Sequence, residues 1–229
     1  MSKGISSTSV GKKVLMALSG FFLMFFLLQH LLINMLSVIS PDAFNETSHF
    51  MGTNPLIQYA MQPVLIFGVI FHLVMGMRLE VKNRAARPIK YAMNKPSENA
   101  SWMSRNMIIT GIMVMLFLAL HFYDFWIPEI NTKFIQGDMS GMMPGVEGYR
   151  YFVELQHKFV NPVRVGLYIL SFVFLALHLL HGFQSAFQSV GFNHKKYTPV
   201  LKKLGNIYAI VVPLGFVIVA IFHFINASH

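Results

Sequence analysis

Five long stretches without Asp, Glu, Lys or Arg constrain the fold of this chain more than any other feature of its sequence. They cover residues 14–41, 47–77, 106–123, 165–194 and 204–229. A helix that crosses a bilayer needs roughly 20 mostly apolar residues, which rise ~30 Å, and each stretch contains an apolar core of about that length. Only 12% of the residues are charged, compared with about a quarter in an ordinary soluble domain. We therefore exclude a soluble enzyme.

These stretches predict an all-α integral membrane bundle of five transmembrane helices. The whole chain, residues 1–229, is expected to form this single domain, with spans at about 14–37, 56–79, 105–126, 162–186 and 204–226. The first span follows two lysines, as a signal peptide does. Its apolar part is longer than the usual ~15 residues and no Ala-x-Ala site follows it, so we expect it to be retained. The segment 127–161 is expected to be an outer connection.

The distribution of basic residues predicts the orientation of the helices. Of the 18 Lys and Arg, 14 lie at the N-terminus or in the connections after the second and fourth spans, and 4 lie on the other side. By the positive-inside rule, the N-terminus is expected in the cytoplasm and the C-terminus outside. The net charge of +9 then follows from topology, and we expect no nucleic-acid binding. Such a basic face could bind anionic membrane lipid or an acidic partner.

Four of the histidines within the predicted spans form two pairs, each pair at one depth. His30 and His121 lie ~25 Å and ~24 Å along helices that run outward, which places them toward the outer face. His72 and His178 lie in the cytoplasmic half of helices that run inward. Polar side chains in a membrane are costly and usually functional, and two imidazoles at one depth are the usual way to hold a non-covalent haem. We therefore predict two haem b sites, an outer and an inner one, with these four residues as the ligands of the haem iron.

A second histidine competes with one of the inner ligands. His181 is a rival to His178 because it lies one helical turn further along on nearly the same face. We favour His178 because it shares a spacing with His72: each is followed four residues later by a glycine, Gly182 and Gly76 respectively. We expect these glycines to leave room for a flat macrocycle.

The other histidines are expected outside the haem sites. His223 is expected near the outer end of the fifth span, where it caps an interface, and His157, His194 and His229 are expected to be solvated. The chain has no Cys, which excludes a thiolate-bound iron–sulfur cluster and a covalently attached c-type haem.

Four stretches carry a resemblance to a known family. They are AFNETSHFMGTNPL at 43–56, RAARP at 84–88 with NKPSEN at 94–99, HFYDFW at 121–126, and HLLHGFQSAFQ at 178–188. With these motifs the chain resembles, over essentially its whole length, the five-helix dihaem cytochrome b subunit of succinate dehydrogenase and quinol:fumarate reductase. The resemblance implies one haem ligand on each of the first four spans, at the four histidines already named.

The same resemblance implies partners and a location. A flavoprotein subunit and an iron–sulfur subunit are expected on the cytoplasmic face, in a complex of the respiratory chain and the tricarboxylic acid cycle. The chain is expected to exchange electrons with a quinone, which we expect to be menaquinone, in the bacterial inner (cytoplasmic) membrane. The succinate site itself is expected on a partner chain.

In this family the quinone site commonly includes an acidic residue near the outer haem. Glu46 and His49 in the first outer loop are candidates, because quinone chemistry couples electrons to protons and needs a titratable group near the ring. His49 is otherwise expected to be solvated. Asp124 and Glu154 are further candidates, and a solvated loop carboxylate is the simpler interpretation of each acid. The connection 127–161 is longer than expected for the family.

Two other functions are compatible with the histidines. A cytochrome b subunit of a hydrogenase or formate dehydrogenase also uses transmembrane histidine pairs. A transporter that uses membrane histidines as a proton relay needs no haem.

Overall fold

A computed structural model describes residues 8–85 and 107–227. Within these two ranges the chain forms seven helical segments and no β-strand. In chain order they are α1 (Ser9–Ile39), α2 (Pro41–Thr53), α3 (Ile57–Ala85), α4 (Met107–Ile135), α5 (Tyr151–Phe159), α6 (Pro162–Ser189) and α7 (Thr198–Ala227). The predicted all-α class is confirmed: α1, α3, α4, α6 and α7 are long and apolar enough to cross a membrane.

Some of the sequence features considered above lie outside the described residues. These are the first basic residue, Lys3, most of the basic connection between the second and third spans, the motif at 94–99, and His229. The orientation of the termini remains a prediction.

Caps set the ends of the first two helices. The side chain of Thr8 accepts a hydrogen bond from the backbone N–H of Gly11 at 3.0 Å, which satisfies one of the free donors at the start of α1. Ser40 separates α1 from α2 and accepts from the N–H of Ala43 at 3.2 Å. Pro41 follows as the first residue of α2, where its missing N–H costs nothing.

The third long helix is longer than predicted. We expected it to end near residue 126, but α4 continues to Ile135, so the prediction of a connection that begins at residue 127 is wrong. Pro128 does not end the helix. Wider π-helical turns at Phe122–Trp126 and Asn131–Ile135 lie on either side of it, and such local adjustments allow a helix to continue past a proline.

The rest of the segment 127–161 consists of a loop with four glycines in turn conformations, followed by a short helix. Four glycines at 137, 141, 145 and 148 have φ between 69° and 79°, the left-handed region that favours glycine. They allow residues 136–150 to fold back on themselves, so that Met142 and Tyr149 form an isolated antiparallel bridge. The chain then enters α5, which contacts α2, α6 and α7.

Four of the long helices form a closed ring. Helix α1 contacts α3 and α6, and α4 also contacts both α3 and α6. Helix α7 lies outside this ring, against α1 and α6. The four helices of the ring are the ones that carry the four predicted ligands.

Helix α7 packs closely because two glycines face its neighbours. A Cβ built on Gly215 would lie 2.8 Å from Cδ1 of Leu31 in α1, and one on Gly205 would lie 2.6 Å from Cδ1 of Phe183 in α6. Both distances are shorter than real Cβ contacts, so the glycines allow the helix to approach. Large apolar side chains such as Phe25, 72% exposed, point outward, as expected for surfaces in contact with lipid.

Candidate functional site

Four histidines on four helices meet as two ring pairs. The rings of His30 (α1) and His121 (α4) have centres 5.7 Å apart and planes at 83°. The rings of His72 (α3) and His178 (α6) have centres 6.4 Å apart and planes at 72°. The structure thus brings together the same two pairs that the depths in the sequence predicted. Their role as haem ligands remains a prediction.

The spacing of both pairs fits an iron atom between the rings. An imidazole nitrogen lies ~2 Å from a bound metal and the ring centre roughly 1 Å further, so two imidazoles on opposite sides of one iron have centres about 6 Å apart. Both observed separations are close to this value. Among the described residues no group of three or more His, Cys, Asp or Glu could hold a metal ion. A haem needs only two protein ligands, because the macrocycle supplies the other four.

Hydroxyl groups hold the inner pair. Ser19 of α1 lies with Oγ 3.0 Å from Nδ1 of His72. Thr110 of α4 lies with Oγ1 3.4 Å from Nδ1 of His178. Sequence reasoning missed both hydroxyls. They have a local signal that we did not use: each is followed directly by a glycine in an otherwise apolar helix.

Glycines stand beside the inner rings, but not the two that the sequence predicted. A Cβ built on Gly20 or Gly111 would lie 3.6 or 3.7 Å from Cε1 of the nearer inner imidazole. The predicted Gly76 and Gly182 instead face methionine methyl groups, at 3.4 and 3.6 Å. A helical side chain leans toward the N-terminus of its helix, so an imidazole points away from a glycine four residues later. The small residues come from the facing helices.

The outer pair lies among aromatic rings. Phe26 stacks on His30 with centres 5.5 Å apart, and Phe125 lies 5.3 Å from His121. The amide of Asn34 donates to the backbone oxygen of His30 at 2.8 Å. Nδ1 of His121 is buried and has no hydrogen-bond partner among the described residues. A buried polar atom without a partner is unfavourable, and a bound group would remove that penalty.

His178 is better placed than its rival His181. Its ring faces His72, whereas His181 makes no ring contact with another histidine within the described part of the chain. Two of the remaining histidines, His157 and His194, are exposed, as predicted.

His223 lies four residues before the end of α7, near the helix end as predicted, but it is more deeply buried than a capping residue at an interface would be. Its side chain is fully enclosed, with 0% exposed, and Nε2 lies 2.8 Å from Oγ of Ser37 in α1. It packs against Phe152 and Phe159 of α5. A signal for its burial was present, because residues 212, 216, 219 and 220 precede it at helical spacing and are also buried.

The two quinone-site candidates lie in different environments on α2. Glu46 is exposed. His49 is partly buried rather than solvated, because its ring stacks on Tyr149 with centres 3.9 Å apart and planes at 11°. Nδ1 of His49 is 3.4 Å from the hydroxyl of Tyr151.

Asp124 is not a solvated loop carboxylate, so that interpretation is wrong. It lies within α4 and is 1% exposed. Its Oδ2 accepts a hydrogen bond from the Tyr168 hydroxyl at 3.0 Å, and Nε of Arg164 lies 3.4 Å from the same oxygen. The carboxylate is buried because Tyr168 and Arg164 of α6 pack against it.

A buried charge network at the end of α4 was also missed. Glu129 pairs with Lys133 through Oε1 at 2.5 Å and with Arg150 through Oε2 at 2.6 Å. Glu154 accepts from Nη1 of Arg150 through both oxygens at 2.7 Å. Burial alone would lower the pKa of Arg150, but the hydrogen bonds that it donates to both glutamates raise its pKa. Two acid–base pairs at i,i+4 spacing were a local signal for this network.

Comparison with known proteins finds a relative of the kind that the motifs predicted. No family model matches the chain, and no solved structure matches it. The chain is 26% identical over 163 residues to the succinate dehydrogenase cytochrome b558 subunit of Bacillus subtilis (strain 168), which covers 70% of this chain and 69% of that protein. The chain is thus similar to a cytochrome b subunit of succinate dehydrogenase, as its histidine and loop motifs predicted.

Proposed function

We propose that the chain is the membrane-anchor cytochrome b subunit of a succinate:quinone oxidoreductase. In this function it carries electrons between a cytoplasmic iron–sulfur subunit and membrane quinone, with two haems b as its cofactors. One observation carries the proposal. Four imidazoles from four helices form two pairs, and the ring separation in each pair suits one iron. The similarity to the Bacillus subtilis subunit supports the same conclusion.

The residues that would hold each haem follow from the pairs. His30 and His121 would hold the outer haem, and His72 and His178 the inner one. When bound, each haem would supply one-electron redox chemistry, which suits electron transfer. The chain itself provides the ligands, holds their orientation and encloses them among apolar helices.

Partners are inferred from what the chain lacks and from its charge. With no Cys, it offers no thiolate for iron–sulfur clusters, so these belong to a separate subunit, next to a flavoprotein subunit with the succinate site. The face with most of the Lys and Arg is the cytoplasmic one under the positive-inside rule, and these subunits bind there. The complex is then located in the bacterial cytoplasmic membrane.

Quinone is proposed to react on the outer side, near the middle of α2. Glu46 and His49 are the candidate titratable groups there, and menaquinone is the expected quinone. Glu46→Gln or His49→Gln should lower quinone reduction roughly 100-fold without loss of haem. Glu147→Gln is the matched control, because Glu147 is also an exposed acid on the predicted outer side. Unchanged rates in both variants would exclude this location.

The proposed function is tested by the visible spectrum of the complex purified from membranes. We expect two haems b per chain in the reduced-minus-oxidised spectrum, and we expect succinate to reduce them in native membranes. A complex without haem would contradict the proposal and favour the proton-relay transporter. Haems that hydrogen or formate reduces, but succinate does not, would instead indicate a subunit of a hydrogenase or formate dehydrogenase.

A further inference from the structure

The hydrogen bonds around His72 determine which of its nitrogens carries the proton. The hydroxyl of Ser19 donates to the backbone oxygen of Met16 at 2.8 Å. A serine hydroxyl has one hydrogen to donate, so in its 3.0 Å contact with Nδ1 of His72 Ser19 must accept. Nδ1 therefore carries the hydrogen, and the lone pair of the neutral ring lies on Nε2.

The same arrangement is repeated at His178. The hydroxyl of Thr110 donates to the backbone oxygen of Met107 at 2.9 Å and lies 3.4 Å from Nδ1 of His178. Thr110 must therefore also accept from the imidazole, which leaves the lone pair of this ring on Nε2 as well. Both hydroxyls are buried, with 8% of Ser19 and 2% of Thr110 exposed, so water cannot easily replace them.

A glycine completes each arrangement. Ser19 is followed by Gly20 and Thr110 by Gly111. A Cβ on either glycine would stand 3.6 or 3.7 Å from Cε1 of the imidazole that the preceding hydroxyl holds. Each ring of the inner pair therefore rests on a hydroxyl–glycine dipeptide of the facing helix, contributed by α1 to His72 and by α4 to His178.

The outer pair has no such arrangement within the described residues. Nδ1 of His121 has no hydrogen-bond partner, and the amide of Asn34 lies 3.4 and 3.5 Å from the two ring nitrogens of His30. By contrast, Ser37 holds a histidine that belongs to neither pair. Its hydroxyl donates to the backbone oxygen of Asn34 at 2.6 Å and accepts from Nε2 of His223 at 2.8 Å.

We infer that Ser19 and Thr110 are positioning residues of the inner haem site, which hold both rings in the tautomer that presents Nε2 to one iron. The part of this inference that concerns the iron rests on the proposed function. The part that concerns the tautomer rests on the geometry alone. A hydrogen-bond acceptor behind a ligating imidazole orients the ring and raises its basicity. The more basic ligand favours the ferric state and so lowers the midpoint potential of the inner haem.

The test uses the purified complex with Ser19→Ala and Thr110→Val. We expect each variant to raise the midpoint potential of the inner haem, to change its low-spin electron paramagnetic resonance signal, and to leave the outer haem as it was. A tenfold change in the ratio of ferric to ferrous haem corresponds to about 59 mV, and the expected shift is of that order or smaller. Ser19→Thr and Thr110→Ser keep a hydroxyl and should restore the potential.

Ser37→Ala is the matched control, because it removes the same kind of hydrogen bond from a histidine outside the pairs. It should leave both potentials unchanged. Unshifted potentials at full haem content in Ser19→Ala and Thr110→Val would overturn the inference, as would equal shifts in the control.

A second measurement separates this inference from the proposed function. If the wild-type chain carries no haem, the proposed function fails, but the tautomer can still be read from the ¹⁵N resonances of labelled histidine in the chain in bilayers. We then expect hydrogen on Nδ1 for His72 and His178, and loss of this preference in Ser19→Ala and Thr110→Val respectively. Hydrogen on Nε2 in the wild-type rings would overturn the assignment.

Discussion

The hydroxyl of Tyr168 on α6 donates a hydrogen bond to Oδ2 of Asp124 on α4 at 3.0 Å, and both side chains are almost fully enclosed, with 2% and 1% exposed. Asp124 lies one helical turn beyond His121. Its other oxygen, Oδ1, has no hydrogen-bond partner within the described residues. A buried carboxylate is costly unless it is paired, so the stability of this part of the bundle depends on Tyr168 and on Arg164, whose Nε lies 3.4 Å from Oδ2.

Removal of this donor should therefore destabilise the protein. Tyr168→Phe is expected to lower the free energy of unfolding by about 1–3 kcal/mol, because it leaves a buried oxygen without its hydrogen bond. The measurement is the denaturant or thermal unfolding of the helical signal in detergent. Tyr123→Phe is the control, because Tyr123 is 64% exposed and should have no effect. Equal stabilities of the two variants would contradict the prediction.

The ligand pairs predict which haem each histidine substitution removes. His72→Ala or His178→Ala should remove the inner haem, and His30→Ala or His121→Ala the outer one, because each iron loses one of its two protein ligands. Haem content and the two components of the redox titration measure this directly. His181→Ala should keep both haems. Loss of the inner haem in that variant, with its retention in His178→Ala, would show that the choice between the two residues is wrong.

The buried charges at the end of α4 predict a large loss of stability when Glu129 is replaced. Glu129→Gln should lower the free energy of unfolding by about 3–5 kcal/mol, because it leaves Lys133, with 1% of its side chain exposed, without its ion-pair partner. The double variant Glu129→Gln/Lys133→Met should recover part of that loss, because it removes the unpaired buried charge. Unfolding curves of the two variants test this. A double variant no more stable than Glu129→Gln would show that the lysine charge is not the cause.

Alanine substitutions at Gly205 and Gly166 test whether a glycine is needed for close helix packing. Gly205→Ala should lower the free energy of unfolding by about 1–3 kcal/mol, because the new Cβ would stand 2.6 Å from the ring of Phe183 and push α6 from α7. Gly166→Ala should instead raise it by up to ~1 kcal/mol, because nothing lies within 4 Å of the new Cβ in a helix interior. Changes of the same sign in both variants would contradict this explanation.

The raised pKa of Tyr151 predicts that the stability of the protein depends on pH in the alkaline range. Burial and the nearby charge of Glu129 raise the pKa of Tyr151 from 10.0 to about 12, so the folded protein favours the neutral phenol. The resulting stabilisation is complete below pH 10 and is lost as the pH rises from 10 through about 12. Tyr151→Phe should remove this part of the pH dependence, as measured by unfolding between pH 9 and 12. An unchanged slope would show that Tyr151 does not cause it.

Much of the candidate site could be predicted from local features. The five helices follow from apolar stretches of the right length, and the depths of the histidines follow from the constant rise of a helix. His72 and His178 could therefore be placed at one level before any contact was known. By contrast, the end of α4 was predicted wrongly, because a proline and several charges usually end a membrane span. Here Glu129 and Glu154 neutralise Lys133 and Arg150 in the folded structure.

Hydropathy and the rise per residue depend only on neighbours along the chain, so they are enough to predict the five long helices and the relative depths of the paired imidazoles. The rotation of each helix about its axis, and the side chains that it meets, depend on tertiary packing. The hydroxyl of Ser19 reaches His72 across 53 positions of sequence, and that of Thr110 reaches His178 across 68. The glycine after each hydroxyl marks the residue locally, but which imidazole the hydroxyl contacts is set only when the helices pack together.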